Sequence, residues 1–319
     1  MKENMKKTRL RGVLMLLLTA FIWGTAFAAQ SVGMESVQAF TFSGIRTLMG
    51  AAVLLPVVLV RIAVRGARAD AAQRAALRAA TVRTVRCGLL LGAVFCAAGN
   101  LQQFAFYWTP SGKIAFITAL YMFFVPLLGL LFRKRVPLLT WLCVAVGFLG
   151  LYFLCVNPAD LGAVNRGDLL TVACAVVFAV HILLVERFAP ECDGLLLSCV
   201  QFAVSGVLSC ALMFLFESPD PAAIRAALMP LLYAGVMSCG VAYTFQILGQ
   251  RYTEATVASL LMCTESVFGA LTGALLLHER LSPREILGCA VMFAAILLSQ
   301  LAEPITGRLR SRGKKAAGG

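Results

Sequence analysis

Apolar runs recur along the whole chain, divided by short segments in which Lys, Arg, Pro and Gly collect. Each run is long enough to cross a ~30 Å hydrocarbon core as a helix, which takes about 20 residues. Read between the charges, the pattern predicts ten spans, at 12–34, 38–60, 87–107, 111–132, 138–156, 167–186, 194–216, 228–250, 254–277 and 285–302. The expected fold class is therefore an all-α integral membrane protein. One residue breaks the pattern. The stretch "LLMCTESVFGAL" (260–271) holds Glu265, the only charge between Thr256 and Leu277.

The 319 residues are 60% hydrophobic and 13% charged, with a net charge of +13. That charge maps onto topology rather than onto nucleic acid. With the N-terminus inside, 22 Lys and Arg fall on cytoplasmic segments and five outside, while Arg46 lies within a span. Such a bias sets orientation and requires an even number of spans. The basic triplet "RKR" (133–135) falls on the inner side. The one long loop, 61–86, is rich in Ala and Arg and is expected to be a helical linker on the inner membrane surface. It reads as a topology determinant, with a lipid contact as the alternative. The first span has the basic, apolar and small-residue regions of a signal peptide, and "AFA" mimics a cleavage site. Its apolar character continues to Gly33 and further spans follow, which favours an uncleaved helix.

The two halves align. An offset of 155 pairs Arg11-Gly12 with Arg166-Gly167, and Arg46 with Gln201. An offset of 143 pairs Gly92 with Gly235, Gln103 with Gln246, and Ala115 with Ala258. An offset of 145 pairs "AVGF" (145–148) with "AVMF" (290–293). Five spans per half is an odd number, so the second half must run inverted. The expectation is ten transmembrane helices as two inverted five-helix repeats, an architecture of secondary transporters with substrate near the midplane. The expected organisation is a cytoplasmic N-tail (1–11), a first repeat (12–156), an external linker (157–166), a second repeat (167–302) and a basic cytoplasmic tail (303–319).

Several motifs resemble those of one family. "WGTAF" (23–27) resembles the first-span signature of the EamA family, in the drug/metabolite transporter superfamily, and "SGIRTLMGA" (43–51) resembles its second-span arginine motif. The segments 109–137, 167–189 and 242–285 are similar to a branch of it. The resemblance implies a ten-helix carrier exporting amino acids or related small metabolites. Helices 1–4 and 6–9 would surround a cavity, with helices 5 and 10 outside. The family usually has Glu-Pro in span nine, where this chain has Glu265-Ser266. Without proline, only a slight bend is expected there.

Polar residues from different spans fall at similar depths. At ~1.5 Å per residue, Glu265, Gln201, His181 and Tyr243 lie about 19–22 Å from the outer face, and Tyr121 and Trp23 about 14–15 Å. Arg46 and Asn100 lie near 11–12 Å on the same scale. Arg46 is the expected substrate anchor, because a guanidinium holds a carboxylate through two parallel bonds. An internal pair with Glu265 is the alternative. Glu265 reads as a proton site, an amine ligand or a partner of Arg46. His181 is a second proton-coupling candidate, against the plainer role of an interhelical hydrogen-bonding group. Trp23, Tyr121 and Tyr243 could form an aromatic wall. Gln201 and Asn100 join the candidate binding set, and Gln103 and Gln246 are repeat-equivalent amides. Gln30 and Gln102 are weaker candidates.

No HExxH, P-loop or GxSxG motif occurs, and the second histidine, His278, falls in an outer loop, so no enzyme is expected. The 11 cysteines follow no metal or disulfide spacing and read as packing residues. No cofactor, metal or nucleic acid is expected. The partners are a small-molecule substrate and the bilayer. Spans five and ten are poor in charge and amide, so they can face lipid or a second protomer, giving a monomer or a homodimer through helices 5 and 10. The expected location is a bacterial cytoplasmic membrane, multi-pass, with both termini cytoplasmic. The expected function is export by alternating access, with proton coupling left open. A multidrug or nucleoside-type exporter is the alternative, ahead of a channel or receptor.

Overall fold

The computed structural model describes residues 2–131, 136–156, 164–276 and 282–316, without the side chains of 2–8, 155, 272–276 and 300–316. The triplet 133–135, the linker over 157–163 and His278 lie outside the described residues. In chain order the helices are α1 (Lys2–Met34), α2 (Ala39–Ala67), α3 (Ala71–Ala105), α4 (Ser111–Thr118), α5 (Tyr121–Leu131), α6 (Leu138–Cys155) and α7 (Arg166–Phe188). There follow α8 (Gly194–Phe216), α9 (Pro221–Ala226), α10 (Leu228–Leu232), a π-helical stretch (Tyr233–Ala242), α11 (Tyr243–Gln250), α12 (Ala255–Met262), α13 (Glu265–Leu276) and α14 (Pro283–Ala316). No strand occurs among the described residues.

Among the described residues, seven helical stretches are long and apolar enough to cross a membrane. The spans expected at 138–156 and 254–277 appear as shorter apolar helices, Leu138–Leu154 and Ala255–Leu271. The span expected at 285–302 falls within α14. Large apolar side chains such as Leu59, Val60, Leu89, Phe214 and Leu297 lie exposed on the outer surface. Such a surface is stable in lipid and costly in water. The chain is a multi-pass membrane protein.

The segment 61–86 is helical, as its alanines favour, but it is not a separate linker. It is the end of α2 and the start of α3, with only Arg68, Ala69 and Asp70 between them. Asp70 accepts from the Gln73 N–H at 2.7 Å while the Gln73 side chain accepts from the Asp70 N–H at 3.1 Å, a reciprocal cap. Arg74 Nε donates to the carbonyls of Gly66 and Ala69, covering the end of α2.

Packing pairs α2 with α8, α3 with α7 and α8, α1 with the π stretch, α11 and α13, and α6 with α14. Close approach at two glycines seats α3 on α8 and the π stretch on α2. A Cβ on Gly92 would sit 2.6 Å from Val204 Cβ and 2.7 Å from the Gln201 carbonyl oxygen. A Cβ on Gly235 would sit 2.7 Å from Met49 Cβ and 2.9 Å from the Arg46 carbonyl oxygen. The partners carry the same 155-residue offset as Arg46 and Gln201.

The two ends of the bundle are tied differently. At one end Lys113 pairs with Asp168 at 2.7 Å, and Thr109 donates to Asn165 and Asp168. Nearby, Glu217 accepts from the N–H groups of Phe40 and Thr41, capping α2. At the other end Arg251 donates to the carbonyls of Ala189 and Cys192. There Asp193 caps α8 through the N–H groups of Leu195 and Leu196, and pairs with Arg65 at 2.8 Å and Arg61 at 3.4 Å. Burial pushes the Asp193 carboxyl up, but the Leu196 N–H and the two guanidiniums outweigh it and hold it below its ordinary value.

Three outcomes are expected for stability in detergent. Gly92→Leu should lose about 1–3 kcal/mol by overpacking, read as a lower Tm. Gly66→Ala, whose Cβ meets nothing within 4 Å, should not destabilise. For Asp193 the folded-state pKa is depressed, so its contribution is complete above about pH 4, the ordinary carboxylate value. It is lost as pH falls through the folded-state value, and Asp193→Asn should flatten that acid limb in a Tm-against-pH series.

Candidate functional site

Two apolar spans are each broken in the middle. α4 gives way to α5 at Ala119–Leu120, and α12 gives way to α13 at Cys263–Thr264. At both breaks the backbone tightens to bonds three residues back, from Met122 N–H to the Ala119 carbonyl and from Thr264 N–H to the Leu261 carbonyl. The second break needs no proline, contrary to the slight bend expected from Glu265-Ser266. The Thr264 hydroxyl donates to the Leu261 carbonyl at 2.6 Å, and such back-bonding disturbs the helical ladder. The breaks face each other. Cys263 Sγ donates to the Ala119 carbonyl at 3.4 Å. Tyr121 opens α5, Glu265 opens α13, and the Tyr121 hydroxyl donates to Glu265 Oε1 at 3.4 Å. The Glu265 carboxyl thus sits at the start of a helix, where the backbone dipole favours negative charge.

A central cavity of about 30 Å³ lies beside these breaks. That is room for one or two waters. Trp23, Arg46, Tyr121, Tyr243, Gln246 and Glu265 line it, so six of the expected residues converge. The weaker candidates Gln30 and Gln102 line it too. Trp23 and Tyr243 stack with ring centroids 4.4 Å apart. Gly24 explains its place beside Trp23. A Cβ there would collide with the backbone of α13, lying 2.8 Å from the Gly269 nitrogen, so α1 can cross α13 at the level of Glu265.

Arg46 is buried and donates to Gln30 Oε1 at 2.5 Å, with its guanidinium carbon 5.6 Å from the Phe42 ring centroid. Its Nε has no hydrogen-bond partner, and neither has Trp23 Nε1. Arg46 and Glu265 form no ion pair. The cavity therefore holds a guanidinium and a carboxyl group that are not paired with each other.

Four expected residues stand outside the lining. His181 hydrogen-bonds Gln201 at 2.8 Å, both fully buried, with Phe95, Phe178 and Tyr243 around the imidazole. Asn100 donates to the Ser209 hydroxyl and the Cys96 carbonyl. Gln103 is buried with neither amide atom partnered. The lining also includes Phe27, Thr118, Phe178, Ile182 and Ser238, which the depth argument missed. The repeat offset carried a signal for two of them, since 155 residues separate Trp23 from Phe178 and Phe27 from Ile182. Ser238 comes from the π-helical stretch, a conformation frequent at functional sites.

The model of the EamA-like transporter family matches the chain twice, at residues 10–156 and 165–301. The chain belongs to the EamA-like transporter family. An uncharacterized transporter of Archaeoglobus fulgidus is 24% identical to this EamA-like chain, covering 92% of it and 87% of the relative. The uncharacterized transporter YwfM of Bacillus subtilis is 23% identical, covering 89% and 92%. A solved crystal structure superposes with a TM-score of 0.71 over 91% of this chain and 96% of that one, at 18% identity. That likeness concerns the fold.

The Arg46–Gln30 contact is testable. Gln30→Ala strips a buried guanidinium of its acceptor and should cost about 1–3 kcal/mol in thermal unfolding. Combined with Arg46→Gln, the loss should fall short of the sum of the two single losses.

Proposed function

We propose that this EamA-like transporter exports amino acids or related small metabolites by alternating access between two inverted five-helix repeats. The observation that carries the reading is the guanidinium of Arg46 and the carboxyl group of Glu265, in one cavity and not paired with each other. A zwitterion offers a carboxylate to the guanidinium and an ammonium to the carboxylate. Trp23, Phe27 and Phe178 supply an apolar wall for its side chain.

Three features support the repeat. The family model matches each half. The broken helices begin again at Tyr121 and Glu265, 144 residues apart, and discontinuous helices mark binding sites in inverted-repeat carriers. Gly12 lies against the Gly249 carbonyl and the Thr253 hydroxyl, and Gly167 against the Ala105 carbonyl and the Thr109 hydroxyl, again with partners 144 residues apart. The charge bias supports a cytoplasmic membrane location in a bacterium, with both termini inside. In that orientation the Lys113–Asp168 tie is external, and the Arg251 and Asp193 ties are cytoplasmic. The cavity admits water but no amino acid, so passage requires one set of ties to part.

The test is efflux of labelled amino acids from proteoliposomes, with and without a proton gradient. Wild type should release at least one amino acid. Arg46→Gln should cut the rate by about tenfold or more, the loss of a charge-assisted bidentate contact. Failure to move any amino acid rejects the substrate class, and the aromatic wall then favours a planar cationic or nucleoside-type substrate. If Glu265→Gln responds to the gradient as wild type does, Glu265 carries no coupled proton.

A further inference from the structure

At the end of the bundle away from Lys113, α2, α3 and α8 enclose a groove of about 510 Å³, separate from the central cavity. Four arginines line it, Arg61, Arg65, Arg74 and Arg78, against one carboxylate, Asp193. Asp193 engages Arg61 and Arg65. Arg74 uses its Nε on backbone carbonyls, and Arg78 has no partner among the described residues. The groove thus keeps at least two uncompensated positive charges. Its remaining lining is apolar, including Val58, Ile62, Leu77 and Leu196. The position is informative. The charge-free run of α2 ends at Val60 and that of α3 begins at Cys87, so the arginines stand outside those runs, Arg61 and Arg65 next to the end of the first and Arg74 and Arg78 farther from the second. On the membrane side, exposed Val57, Leu59 and Val60 continue the apolar strip into the bilayer.

We propose that this groove binds an anionic phospholipid, its phosphodiester between Arg74 and Arg78 and an acyl chain along Ile62 and the exposed face of α2. Charge alone would fit any soluble phosphate. The apolar strip running from the arginines to the lipid-facing surface selects a ligand with both a phosphate and a hydrocarbon tail. Asp193 engages Arg61 and Arg65 from α2, which leaves Arg74 and Arg78 from α3 for the headgroup.

The test is native mass spectrometry of the full chain in detergent, titrated with phosphatidylglycerol and, separately, phosphatidylcholine. Wild type should retain phosphatidylglycerol preferentially. Arg78→Gln breaks no bond in the structure and should retain it about fivefold more weakly, with Arg74→Gln/Arg78→Gln weaker again, in line with the contribution of one basic residue at an anionic surface. Phosphatidylcholine retention should not change. Equal phosphatidylglycerol retention by wild type and Arg78→Gln overturns the proposal. Displacement of the lipid by glycerol phosphate at equal concentration also overturns it, because the site would then read a soluble anion. Unfolding of the double variant leaves the Arg78→Gln comparison decisive.

Discussion

A backbone that leaves the helix within hydrocarbon exposes N–H and C=O groups that lipid cannot satisfy. This chain does so twice, and the two breaks shield each other. The Ala119 carbonyl, where α4 ends, takes the thiol of Cys263 from the opposite break as well as the Met122 N–H of its own chain segment. Tyr121 and Glu265, each the first residue of a resumed helix, meet across the same junction. Everything else about the centre follows from keeping these breaks buried. α1 must come close enough to cover α13, which Gly24 permits, and in doing so it sets Trp23 against Tyr243. The cavity is the space left over.

Polar groups at that depth are costly unless paired, and the chain treats its two halves differently. In the second half the buried imidazole of His181 is bonded to Gln201, the residue offset by 155 from Arg46. In the first half Arg46 bonds to Gln30 from α1. Each pair ties together two neighbouring helices of its own half. Only the first pair borders the cavity, so the matching positions Arg46 and Gln201 differ, one facing the cavity and one holding helices together.

Most of the architecture was legible because the bilayer imposes a strong rule on sequence. Long apolar runs, and the offset linking Gly92 with Gly235, needed no knowledge of contacts. Depth counting also brought Tyr121, Tyr243, Trp23 and Glu265 to similar levels, with Arg46 shallower, and all five share one cavity. Depth is only one coordinate, however. Rotation about each helix axis decides whether a side chain faces the cavity or a neighbour, and that is set by packing. His181 and Gln201 sit at the expected level and turn toward each other. The break at Cys263–Thr264 was hidden for a similar reason. The expected sign was proline, whereas the chain uses a threonine hydroxyl, common in unbroken helices as well.

The narrowness of the central cavity bears on how any ligand would be measured. A conformation with about 30 Å³ free at its centre is incompetent to hold an amino acid. Binding must draw on a wider conformer, and the observed affinity is the intrinsic one reduced by that conformer's population. If one molecule in about a hundred is open, a site of micromolar intrinsic strength reads as roughly 100 μM. Substitutions at the end ties, far from the ligand, would then shift apparent affinity by changing the population alone. A weak binding constant would be a property of the resting ensemble and not of the contacts in the site.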